Sequence, residues 1–130
     1  MMNRMVTRSE RNLLHIHYVL VSKLKYVKKV FRKGKMIKAF ENIQSLYFKN
    51  DFKEIERVYE LLIAKMPSFH DHRYYKHIEL MEYCQVLLDS RGLTGWRLQE
   101  RVNETIMCFD TNHELGRRIQ VHILQILVES

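Results

Sequence analysis

The chain has 130 residues, 46% apolar and 28% charged, enough for one domain whose core needs neither a disulfide nor a metal. With 4 glycines and 1 proline it lacks the turn chemistry that an all-β fold requires. The net charge of +7 is concentrated at one end: residues 1–38 hold eleven Lys or Arg against a single acid, Glu10, and the remainder is acidic by three charges.

A helix is predicted first over residues 8–33. Thr7 and Glu10 have capping-box spacing, and Leu13, Ile16, Leu20, Leu24, Val27 and Phe31 recur at helical intervals. Gly34 is expected to end it. Lys25, Lys28, Lys29 and Arg32 share another face, extended by Lys33, Lys35 and Lys38. These seven are the candidate residues for binding nucleic acid or an acidic partner. Lysine outnumbers arginine among them, which suits nonspecific phosphate contact better than base reading. KKVFRKGK (28–35) also reads as a nuclear-import signal.

A second helix is predicted from Lys35 to Lys49, with Met36, Phe40, Ile43 and Tyr47 inward. Only Asn50 and Asp51 separate it from a third, which forces a hairpin. Asp51 and Glu54 stand at N-cap and N3 spacing. Ile55, Val58, Tyr59, Leu62 and Met66 make the stripe, and Pro67 stops it.

After a PSFHD loop (67–71), a fourth helix is expected from His72 to Arg91, with Tyr74, Ile78, Met81 and Leu88 on its inner stripe. A fifth carries Trp96, Leu98, Val102, Ile106 and Phe109. Asn112 is expected to cap a sixth with Leu115, Ile119, Ile123, Ile126 and Leu127. The Ile- and Val-rich run 119–128 also suits a strand, but a lone strand would have no partner. The expected fold is all-α: one domain over residues 1–130, about six helices in three consecutive antiparallel pairs, either a helical bundle or a short helical-repeat array.

The stretch NDFKEIERVYELLIAKMP (50–67) resembles the second helix of a tetratricopeptide unit. Asn50, Asp51, Phe52, Glu54, Tyr59 and Pro67 match that pattern, and Tyr47 falls at the aromatic position of its first helix. Ile43 and Ile55 stand where the pattern has small residues. Ala39-Phe40 and the later Asp51-Phe52-Lys53-Glu54-Ile55 are also similar to the telomeric-repeat-factor homology domain. The helical-repeat, TBP-associated subunit of the RNA polymerase I selectivity factor is similar at the same level. These likenesses imply an all-helical interaction domain in a nuclear, nucleic-acid-associated complex.

Chemistry is hard to find. His70, His72, His77 and Cys84 lie near one another in sequence but do not follow a zinc spacing. His70-Asp71 matches the HD pair of metal-dependent phosphohydrolases without the rest of that signature. There is no phosphate-cradling glycine loop and no nucleophile motif. Glu79 with Glu82, and Glu100 with Glu104, read as solvated faces. Cys84 and Cys108 read as reduced, buried thiols of an intracellular protein.

No catalytic residue, metal or cofactor is therefore expected. No run is long enough to cross a membrane. The expected function is a non-enzymatic protein–protein interaction module, nuclear or cytoplasmic, working in a larger complex or as a homodimer. Tyr74, Tyr75 and Trp96 are its candidate anchors, with core packing the competing role for Trp96. The alternatives are a direct, largely nonspecific DNA- or RNA-binding protein and, more remotely, a metal-dependent hydrolase using His70 and Asp71.

Overall fold

Asn50 and Asp51 close one helix and open the next. In the computed structural model, which describes residues 34–130, the first helix, α1, covers 34–48. Asn50 sits at φ +57°. Its N–H donates to the Tyr47 carbonyl (3.0 Å), and the Asp51 N–H donates to the Leu46 carbonyl (2.9 Å). That is a Schellman closure, with asparagine in the left-handed position glycine usually fills. Asp51 then accepts the Glu54 N–H (3.3 Å) and starts α2, Phe52–Ala64. Tyr47 and Phe52 meet edge to face across this hairpin.

Three helices follow: α3, Tyr74–Ser90; α4, Gly95–Thr105, continued by a 3-10 turn at Ile106–Cys108; and α5, Glu114–Glu129. The described residues are helical, with no strand among them; run 119–128 lies within α5. They hold five α-helices, and the predicted basic helix 8–33 lies outside them. Met36–Ser130 form one compact unit. Helix α3 is its axis, packed against α2, α4 and α5. This is a bundle around one helix rather than a row of separate pairs.

That central position corrects the stripe expected for α3. Ile78 is exposed, and Tyr74, Met81 and Leu88 are half-buried, whereas Leu80, Tyr83, Cys84 and Leu87 are fully enclosed. A helix covered on three sides is apolar over most of its circumference, so periodicity loses its phase. On the other helices Phe40, Ile43, Ile55, Leu98, Val102, Leu115, Ile119, Ile123 and Ile126 are buried as expected, Met36, Tyr47, Val58, Tyr59, Leu62, Met66, Ile106 and Leu127 are half-buried, and Trp96 is exposed.

Gly34 is the first described residue of α1, and the helix it was expected to end lies outside the described residues. Boundaries differ elsewhere. Phe109 is buried but lies beyond the 3-10 turn, in extended backbone. Asn112 does not cap α5. Its N–H donates to Asp110 (2.9 Å) in a side-chain-closed turn, and His113 occupies the cap position.

The turn preceding α5 depends on Gly116. A Cβ there would fall 2.0 Å from the Asp110 carbonyl oxygen. The helix and the 106–113 segment touch backbone to backbone. Gly116→Ala is expected to lower unfolding free energy by about 2–3 kcal/mol, since backbone cannot rotate aside as a side chain would. Gly92→Ala, which meets nothing closer than 3.9 Å, serves as the control in urea denaturation. Equal midpoints for the two variants would contradict the contact.

Candidate partner-binding surface

The loop between α2 and α3 is fixed at both ends. On one side, α2 leaves its Leu62 carbonyl without an intrahelical partner, because the Met66 N–H turns to Ile63 instead. His77, buried in the second turn of α3, fills that vacancy with Nε2 at 2.5 Å from the Leu62 oxygen. A carbonyl only accepts, so Nε2 carries the proton. On the other side, Asp71 accepts from the Arg73 N–H (2.8 Å), Nε (3.2 Å) and Nη2 (3.0 Å). The Arg73 side chain and backbone hold the Asp71 carboxyl far below the usual range, and Asp71 in turn raises Arg73.

These ties set the first turn of α3, and with it Tyr74 and Tyr75. Their rings meet at 5.6 Å, and Phe69 completes the group at 5.2 Å from Tyr74 and 6.5 Å from Tyr75. His70 stacks edge-on against Phe69. Phe69 is 63% exposed and Tyr75 65%, so the group faces solvent on an ordered base. Phe69 carries no periodic signal; a lone aromatic in a loop was its only mark in the sequence.

The third expected anchor stands apart. Trp96, in the first turn of α4, is 68% exposed, which removes the core role. The Arg97 guanidinium lies over its ring at 5.7 Å. Trp96, Gln99, Glu100, Asn103 and Glu104 frame an open cleft of about 530 Å³. Of the basic set, Lys35 and Lys38 are exposed on α1, while Lys25, Lys28, Lys29, Arg32 and Lys33 lie outside the described residues.

The interior holds polar groups that sequence reasoning missed. Glu79 was expected on a solvated face with Glu82, but it is 7% exposed and one carboxylate oxygen has no partner. Burial pushes its carboxyl up to about 7, opposed by a hydrogen bond from the Asp110 backbone. Glu82 is half-buried and engaged by Thr105 (2.8 Å) and by Arg101 (3.3 Å), which also binds Asp89 (2.9 Å). His122 is 2% exposed. Its Nδ1 lies 2.5 Å from the Tyr83 hydroxyl, and burial pushes the imidazole down to about 4. Burial raises Tyr83, so the phenol donates and His122 is the neutral Nε2–H tautomer. That N–H has no acceptor among the described residues.

Cys84 is buried, its thiol pushed up to about 12. Cys108 is exposed, against expectation, because the 3-10 turn ends the face that α4 buries. Among the described residues no group of three His, Cys, Asp or Glu is placed to hold a metal. No helix among them is long and apolar enough to cross a membrane. No family model, curated protein or solved structure matches the chain.

Glu79 and His122 titrate with opposite consequences. The folded Glu79 carboxyl keeps its proton up to about 7, where the unfolded one loses it near 4.5, so stability falls as pH rises between those values. Folded His122 resists protonation down to about 4, where the unfolded one protonates near 6.5, so stability falls as pH drops between those values. From pH 4.5 to 6.5 the two slopes, each up to about 1.4 kcal/mol per pH unit, oppose one another. Glu79→Gln is expected to gain on wild type as pH rises through this window, by on the order of 2 kcal/mol at pH 7.5. His122→Gln is expected to gain on wild type as pH falls. Urea denaturation at pH 4.5, 5.5, 6.5 and 7.5 measures both, and pH-independent differences would show that neither group titrates as described.

Proposed function

We propose that this chain is a non-enzymatic protein–protein interaction module of a nuclear, nucleic-acid-associated complex of the transcription or telomere type. The basic segment adds contacts to nucleic acid or to an acidic subunit. The observation that carries the reading is the aromatic group Phe69–Tyr74–Tyr75, in which Phe69 and Tyr75 are exposed and Tyr74 is half-buried. Tyrosine is a frequent interface hot spot, and large aromatics held on a fixed loop lose little freedom on binding. Burying them against a partner releases apolar surface from water. The chain's helical hairpins supply a scaffold of the kind that presents such surfaces.

The charge distribution favours a second reading, direct and largely nonspecific binding of DNA or RNA. Eight Lys or Arg between Lys23 and Lys38, with no acid among them, would release counterions from a phosphate backbone.

The two readings separate in one experiment on the tagged full chain purified with its complex. The double variant Phe69→Ala, Tyr75→Ala is expected to lose its co-purifying subunits at least ten-fold. Its unfolding free energy should stay within about 0.5 kcal/mol, because both side chains are exposed. Changing Lys25, Lys28, Lys29 and Arg32 to Glu is expected to lose nucleic acid and keep the subunits. If the aromatic variant retains every subunit, the module reading fails. If the lysine-to-glutamate variant binds nucleic acid as before, or binding ignores salt, the second reading fails.

A further inference from the structure

Acids on the surface of the described unit with arginine partners are Glu41 and Glu114 with Arg118, Glu54 with Arg57, Glu56 with Arg91, Asp71 with Arg73 and Asp89 with Arg101. Glu100 and Glu104 have no ion pair or hydrogen bond among the described residues. They lie one and two turns beyond Trp96 on the same face of α4 and share its open cleft. The tryptophan is exposed, yet its ring already meets the guanidinium of Arg97. The face therefore combines an aromatic ring suited to a cation or an aliphatic stem with two uncompensated carboxylates. Helix polarity adds to this, because Glu104 sits in the last turn, where the helix dipole is negative and favours a bound cation.

We infer that this face of α4 docks a lysine- or arginine-rich segment of a partner protein. The interaction-module reading frames this inference, but the surface is distinct from the Phe69–Tyr75 group. Glu100 and Glu104 are about 6 Å apart along the helix axis, so they match two basic side chains one helical turn apart on the partner. Trp96 takes the apolar residue or aliphatic stem beside them. Gln99 and Asn103, which line the same cleft, offer amides to polar groups of the segment. The charge distribution agrees: residues 39–130, which include this face, are net acidic by three charges.

Trp96 is the only tryptophan in the chain, so its emission reports this face directly. The probe is the tryptophan-free dodecapeptide (Lys-Leu-Ala-Arg)3, titrated into the full chain, with (Ser-Leu-Ala-Gln)3 as its uncharged counterpart. The charged peptide is expected to change Trp96 emission saturably, with affinity falling as salt rises. Glu100→Gln, Glu104→Gln together are expected to weaken binding at least ten-fold. Glu60→Gln, an exposed acid on α2, is expected to change it less than two-fold. Circular dichroism confirms that the variants fold. No emission change, equal response to the uncharged peptide, or undiminished affinity in the double glutamine variant would each overturn the inference. None of these results touches the interaction-module reading, which stands or falls with Phe69 and Tyr75.

Discussion

The hydrogen bond between Tyr83 and His122 is the constraint around which the described unit is arranged. Both side chains are buried, and each would carry an uncompensated polar group without the other. Satisfying them fixes the register of α3 against α5, since only one pairing of these helices brings phenol to imidazole. Helix α1 then closes over the pair: Phe40 packs against the Tyr83 ring, and Tyr47 and Phe48 pack against His122. A core of Leu and Ile alone would tolerate several sliding arrangements; a buried polar pair narrows the choice.

The same logic of filling a vacancy recurs at the surface. An unpaired carbonyl at the end of α2 is met by His77, and the start of α3 is held by Asp71 and Arg73. Neither device concerns the aromatic rings themselves. Each fixes the backbone on which Phe69, Tyr74 and Tyr75 are displayed, so the order of the exposed group derives from polar contacts beneath and beside it.

What the sequence disclosed and what it concealed follow one division. Features set by neighbours in the chain were legible: the all-helical class, the Asn50–Asp51 junction, the Asp51–Glu54 cap, and the buried positions Phe40, Ile43, Ile55, Leu115, Ile119, Ile123 and Ile126. Features set by contacts across the fold were not. Helix α3 misled because three helices cover it, so its apolar residues no longer mark one side. Glu79 looked solvated because a glutamate near another glutamate at helical spacing usually is; the arrival of the Asp110 backbone, admitted by Gly116, buries it. His122 offered no local sign of its partner 39 positions earlier. Among the candidate site residues, the sequence picked out Tyr74, Tyr75 and Trp96 by type alone; it could not tell that the first two form a group with Phe69 while the third stands on a separate helix.

The two cysteines differ in a way that reaches beyond folding. Cys84 is enclosed beside Tyr83 with its thiol held protonated, while Cys108 lies open on the 3-10 turn between α4 and α5. The native chain therefore presents a single addressable sulfur to maleimides and other alkylating labels. A fluorophore or spin label attached there rides on the segment that buries Glu79, and it requires no engineered cysteine and no removal of a native one.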